Sequence, residues 1–368
     1  MSAHNPKNDR IKHRYFSYLK EARRYSEQTI DASAKAISRF ENDTKFCDFS
    51  RFHIEQAIAF KRHLADQDSS RPGLKLSKST VDGTLTHLRR FFLWLADQPG
   101  FKSRIRYTDA DYFNISEKDA RIARARREMV VPTLEQVRHV IGSMPAGTAI
   151  EKRDRAVMAF ALLTGARDGA IASIKLKHVN LNTHSVHQDA REVRTKFSKT
   201  FTTTFFPVGE DIEQILIDWV THLRQDLLWG NDDPLFPKCR MEIDANGQFH
   251  VAGLAREHWS TATAIRDIFK AACAGAGVPY FNPHSIRNTL VQLGQQRCRN
   301  PEEMKAWSQN LGHEQVLTTL LSYGQVADHR QRELIRGLAE QSGTPMTDVD
   351  AIADAVARKL RLGESQNW

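Results

Sequence analysis

Apolar residues recur every three or four positions through most of this chain, and that rhythm gives way to a β-type run only once. The clearest case is "STVDGTLTHLRRFFLWLADQPG", residues 79–100. There Val81, Leu85, Leu88, Phe92 and Leu95 form one stripe, and Pro99-Gly100 ends it. Residues 10–67 carry the same spacing in "YLKEARRY", "TIDASAKAISRFEND" and "SRFHIEQAIAFKRHLADQ", with Ser50 as the expected N-cap of the last. Further helices are expected in "PTLEQVRHVIGSM" behind Thr133, at 151–163, and in "EDIEQILIDWVTHLRQDLLWG" and "HWSTATAIRDIFKAACAGAG". The exception is "VRTKFSKTFTTTFFPV", residues 193–208, whose Val, Thr and Phe around a polar centre predict a hairpin. The pattern therefore predicts a mainly α fold with one small β-sheet, an α+β class.

A chain of 368 residues suits two or three domains. The expected division is a helical module at 1–120, a basic linker at 121–132, a second module at 133–341 and a tail at 342–368. The linker lies in "KDARIARARREMVVP", and "SGTP" at 342–345 breaks the chain before the tail. Two more helices are expected near 329–340 and in "TDVDAIADAVARKLRL", where Val349, Ile352, Val356 and Leu360 share a stripe.

Charge divides the chain in the same way. Residues 1–130 hold 26 Lys+Arg against 17 Asp+Glu, a balance of +9, and residues 131–368 hold 27 of each. A basic module joined to a neutral one points to a polyanion as partner. No apolar run approaches 18 residues, so no membrane span is expected. The polar, basic N-terminus predicts no secretory signal. Cys47, Cys239, Cys273 and Cys298 are far apart and form no C-x-x-C pair, which argues against structural disulfides and a zinc knuckle. A reduced, cytoplasmic, nucleoid-associated protein is expected.

"NPHSIRNTL", residues 282–290, sets His284 and Arg287 three apart, on one face if helical. Both donate hydrogen bonds, and a guanidinium matches carboxylate or phosphate geometry. Arg167 after "TG", Lys196 in the predicted hairpin, His313 in "NLGHE" and Tyr323 in "LLSYG" are the other unusual polar positions. Taken in order, "TGAR", "RTK", "HSIR", "LGH" and "SY" resemble the tyrosine recombinase, or phage integrase, family. Residues 131 to about 340 carry the resemblance, and "TVDGTLTHLRRFFLWL" looks like that family's core-binding helical domain.

The resemblance implies a site-specific recombinase that cuts and rejoins DNA strands through a 3′-phosphotyrosyl intermediate, with a C-shaped clamp around the duplex. It implies Tyr323 as nucleophile, Arg167 and Arg287 on the transition state, and Lys196 as general acid. His284 would be general base or proton relay, and His313 would bond the scissile phosphate. No cofactor or metal is implied. The implied partners are double-stranded DNA, a homotetramer on two DNA sites and accessory DNA-bending proteins, with no membrane. A peripheral helix, at 329–340 or 347–362, would pass between protomers. The chain departs from the family pattern in several places: the hairpin lacks the usual Gly after its Lys-Thr, the interval from His313 to Tyr323 is ten, one more than expected, and a carboxylate position is changed. Ala170 stands where a glutamate is usual, three residues after Arg167, with Asp168 as a substitute carboxylate. Lys199 is an alternative to Lys196. The rival readings are a type IB topoisomerase, a non-catalytic DNA-binding protein on the same fold, and a helical RNA-binding or scaffold protein.

Overall fold

The computed structural model describes residues 4–69, 73–125, 131–244 and 246–313. The chain divides into two compact units, residues 1–127 and 128–368.

The first unit is helical. It comprises α1 (Pro6–Ser17), continued by a π turn at Tyr18–Ala22, then α2 (Glu27–Asp43), α3 (Ile54–Asp66), α4 (Lys78–Ala96) and α5 (Glu117–Arg124). Asn5 caps α1 through bonds from the Lys7 and Asn8 amides, with Pro6 at the first helical position. Ser77 caps α4, whose whole expected stripe (Val81, Leu85, Leu88, Phe92, Leu95) is buried. Phe92 is the hub of an aromatic core, with ring centroids 4.2 Å from Phe52, 5.0 Å from Phe113 and 5.4 Å from Phe40. Aromatic pairs of this kind, stacked with Phe113 and edge-to-face with Phe40, contribute about 0.5–1.5 kcal/mol each beyond area burial.

Two details differ from the sequence reading. Ser50 does not cap α3. It lies in a 3₁₀ turn, Phe49–Arg51, capped by Asp48, and α3 starts after His53. The Asp48 carboxylate wins because it accepts from the Ser50 amide at 2.8 Å. The basic stretch expected to be linker from 121 begins as helix, since α5 runs to Arg124 with Ser116 as its cap.

The second unit packs α6 (Leu134–Ser143), α7 (Ala149–Thr164), the short α8 (Asp168–Ile171), α9 (Glu210–Thr221), α10 (Thr263–Gly275), α11 (Pro283–Arg297) and α12 (Pro301–Asn310) around one core. Helix α7 lies at the centre, with every residue from Ala156 to Thr164 buried. Its capping box, Thr148 with Glu151, fixes where it starts. Thr133 caps α6 as expected.

There are two sheets among the described residues, not one. The first runs antiparallel in the order β1 (Val179–Asn180), β2 (Ser185–Gln188), β3 (Phe201–Thr204). The predicted hairpin is thus half right. Residues 201–204 form a strand, but its partner is 185–188, with Val186 opposite Thr203. Residues 189–200 form the connection, because Phe197 and Ser198 take left-handed φ of 61° and 50° and cannot continue a strand. The second sheet is a ribbon of β4 (Pro237–Ile243) and β5 (Phe249–His258). It turns at Asp244–Gly247, where Asp244 Oδ1 accepts from the Asn246 and Gln248 amides.

Candidate active site

Five of the six predicted residues converge on the second unit, each placed by an identifiable local device. Helix α7 ends at Gly165 in left-handed φ of 59°. A side chain there would also collide, since a Cβ would sit 2.8 Å from Leu311 Cδ2 and 3.1 Å from Leu290 Cδ1. Thr164 Oγ1 bonds back to the Phe160 carbonyl at 2.7 Å and receives the Ala166 amide at 3.1 Å. This turn delivers Arg167 to the residue before α8. Its guanidinium is half-buried and makes no hydrogen bond or ion pair among the described residues. That burial pushes its pKa below the usual arginine range.

Helix α11 starts at the Asn282 cap with Pro283 at its first position, so His284 and Arg287 share a face within its first turns. Arg287 is 4% exposed. It donates through Nη1 to the Gly165 carbonyl, and through Nη2 to the Leu311 carbonyl at 2.7 Å and His313 Nε2 at 2.9 Å. Arg287 therefore joins the end of α7 to the turn after α12. Burial first, and the like charge of Arg167 second, disfavour its charged form. His313 reaches it because α12 closes at Gly312, φ 72°, with the His313 amide donating to the Ser308 carbonyl at 3.1 Å. Arginine has no acceptor, so His313 Nε2 accepts and, in the neutral ring, the proton sits on Nδ1. Burial, then Arg287 and Arg167, hold the His313 pKa down to about 4. His284 is exposed, and its pKa is lowered by partial desolvation and by Arg287, Arg167 and Lys196. Both rings are neutral at pH 7.

Lys196 lies in the β2–β3 connection rather than in a strand, with its ammonium 4.9 Å from the Phe197 ring centroid. Lys199, the alternative, lies close enough to lower the His313 pKa, as Lys196 does for His284. Tyr323 falls outside the described residues, as do the expected helices at 329–340 and 347–362.

Asp168 does not orient Arg167. Its Oδ2 is held by Arg266 from α10, at 3.0 Å from Nε and 2.7 Å from Nη2. Arg266 escaped the sequence reading, as did Arg194. The latter is visible in "RTK", but nothing in its spacing marks it as structural. The cluster therefore concentrates Arg167, Arg287 and Lys196 beside two neutral imidazoles, with the adjacent Asp168 carboxylate already engaged. Such a site favours an anion with several oxygens, which would relieve the repulsion and meet donors already in place.

Relatives share this architecture. The phage integrase family model matches residues 131–330. Over 322 residues the chain is 22% identical to tyrosine recombinase XerC of Lactobacillus delbrueckii subsp. bulgaricus, covering 84% of this chain and 92% of that one. A lambda integrase dimer bound to a COC′ core site superposes with a TM-score of 0.58 at 13% identity, covering 89% of this chain and 84% of that one. The Tn1549 transposon integrase in complex with transposon right end DNA gives 0.56 at 15% identity, covering 89% and 99%. The two superpositions speak for the fold, and the family match over more than half the length identifies the chain as a member of the phage integrase family.

Proposed function

We propose that this protein is a site-specific DNA recombinase that breaks and rejoins strands through a 3′-phosphotyrosyl intermediate. The observation that carries the reading is the converging set of Arg167, Arg287, Lys196, His284 and His313, beside which the Asp168 carboxylate is already held by Arg266. A phosphodiester attacked at phosphorus gains charge on its equatorial oxygens, and the guanidiniums of Arg167 and Arg287 stabilise that charge. The Tyr323 oxygen attacks, and the bond from phosphorus to the 5′ oxygen breaks. The phenolic proton passes to neutral His284, directly or by relay, while Lys196 protonates the leaving 5′ oxygen. A 3′-phosphotyrosine and a free 5′-hydroxyl result, and reversal with a new 5′-hydroxyl rejoins the strand. His313, held beside Arg287, hydrogen-bonds the scissile phosphate.

The basic first unit supplies sequence-independent grip on the DNA backbone. Lambda integrase, whose fold this chain shares, is seen as a dimer bound to a COC′ core site and as a tetramer bound to a Holliday junction, which supports a tetramer of this chain on two DNA sites. Exchange is separated from site-independent relaxation by two assays. The reading expects recombinant product from paired sites on one plasmid and no relaxation of a supercoiled plasmid lacking them. Relaxation without a site would instead indicate topoisomerase action.

A further inference from the structure

Among the described residues, every hydrogen-bond partner of the Arg194 guanidinium is a backbone carbonyl. Nη1 donates to Ser260 at 2.5 Å, and Nη2 to Trp259 at 2.6 Å and Ala172 at 3.2 Å. Its own amide donates to Ser173 Oγ at 2.8 Å, and that hydroxyl bonds back to the Gly169 and Ala170 carbonyls. Ala172 ends α8, the turn that Arg167 opens. Ser260 leads into α10, whose Arg266 holds Asp168. Lys196 follows Arg194 by two residues, and the two residues after Lys196 are in left-handed conformations. The lysine thus rides on a connection whose last fixed point before the strained turn is Arg194.

We propose that Arg194 is a positioning residue, which sets Lys196 against Arg167 by tying the β2–β3 connection to α8 and to the segment before α10. An arginine is needed because one planar group must meet carbonyls from two segments, which an ammonium's point charge does not do. The inference rests on the proposed role of Lys196 as general acid.

The test compares single-turnover cleavage of two nicked duplexes, built from DNA flanking the protein's own gene. One carries the ordinary 5′ oxygen at the scissile phosphate and the other a bridging 5′ sulfur. A thiolate leaves without being protonated, so sulfur bypasses the acid but not the guanidiniums. With oxygen, Arg194→Ala and Arg194→Lys should each cut cleavage about a hundredfold, the scale of a small misplacement. Lys196→Ala should cost about a hundredfold or more. With sulfur, all three should return to within several-fold of the native rate, and Arg167→Ala should not. If Lys196→Ala recovers and the Arg194 variants do not, Arg194 serves only folding or phosphate contact and the inference is overturned. If Lys196→Ala itself fails to recover, the acid assignment falls first. Amide hydrogen exchange on the DNA-free protein gives an arm independent of the site. Arg194→Lys should speed exchange across residues 189–200 while α7 stays protected. An unchanged connection would overturn the inference.

Discussion

At the scale of single residues, the site is a place where like charges are held together by packing. Arg287 is buried with three acceptors, and the half-buried Arg167 guanidinium beside it has none among the described residues. An oxyanion that binds the folded site and not the unfolded chain raises stability by mass action. Added sulfate should therefore raise the melting temperature of the second unit more than chloride at equal ionic strength. Arg167→Ala should erase that difference, and calorimetry would read both. His313 offers a pH signature. Its folded pKa, about 4, lies below the ordinary histidine value near 6.5, so the unfolded chain binds the proton first. The contribution to stability is complete above about pH 6.5 and is lost as pH falls toward 4. An NMR titration should find the His313 ring still neutral at pH 5.5. Protonation near pH 6.5 would show that Arg287 and burial do not act on it as described.

At the scale of elements, the junction of α7, α11 and the turn after α12 decides whether the site exists. Gly165 combines left-handed backbone with contacts that leave no room for a methyl group. Gly165→Ala should destabilise the second unit by about 2 kcal/mol or more, from strain and overpacking together. It should also lower activity beyond that loss, because the displaced carbonyl is an anchor of Arg287. Urea unfolding beside cleavage rates would separate the two effects. Most of these helices are readable in the sequence because their stripes and caps are local: the α4 stripe, Thr133, and the start of α11 at Asn282-Pro283. The strands are less so. β2 is four residues with a mixed pattern, and its pairing to β3 spans a connection that no local rule reveals. The β4–β5 ribbon went unread although Asn246-Gly247 marks its turn. Its alternating Met241, Ile243, Phe249 and Val251 stay exposed, so no core face announces them. At the site, residue types in order exposed Arg167, Lys196, His284, Arg287 and His313. The carbonyl acceptors of Arg194 and the Arg266–Asp168 pair are tertiary facts with no sequence period.

At the scale of the whole molecule, the positive charge excess lies in the first unit and the second is close to balanced, the distribution expected if the first unit holds a polyanion on which the proposed site acts. The account ultimately rests on Tyr323, the one tyrosine of the second unit that follows the cationic cluster in sequence. The most direct measurement is incubation with a nicked duplex bearing the protein's own site, followed by denaturation, proteolysis and mass spectrometry of any protein–DNA adduct. The account predicts a single 3′-phosphate ester on Tyr323, absent in Tyr323→Phe while DNA binding by that variant is unchanged. An adduct that survives in Tyr323→Phe, or maps to another side chain, would contradict it.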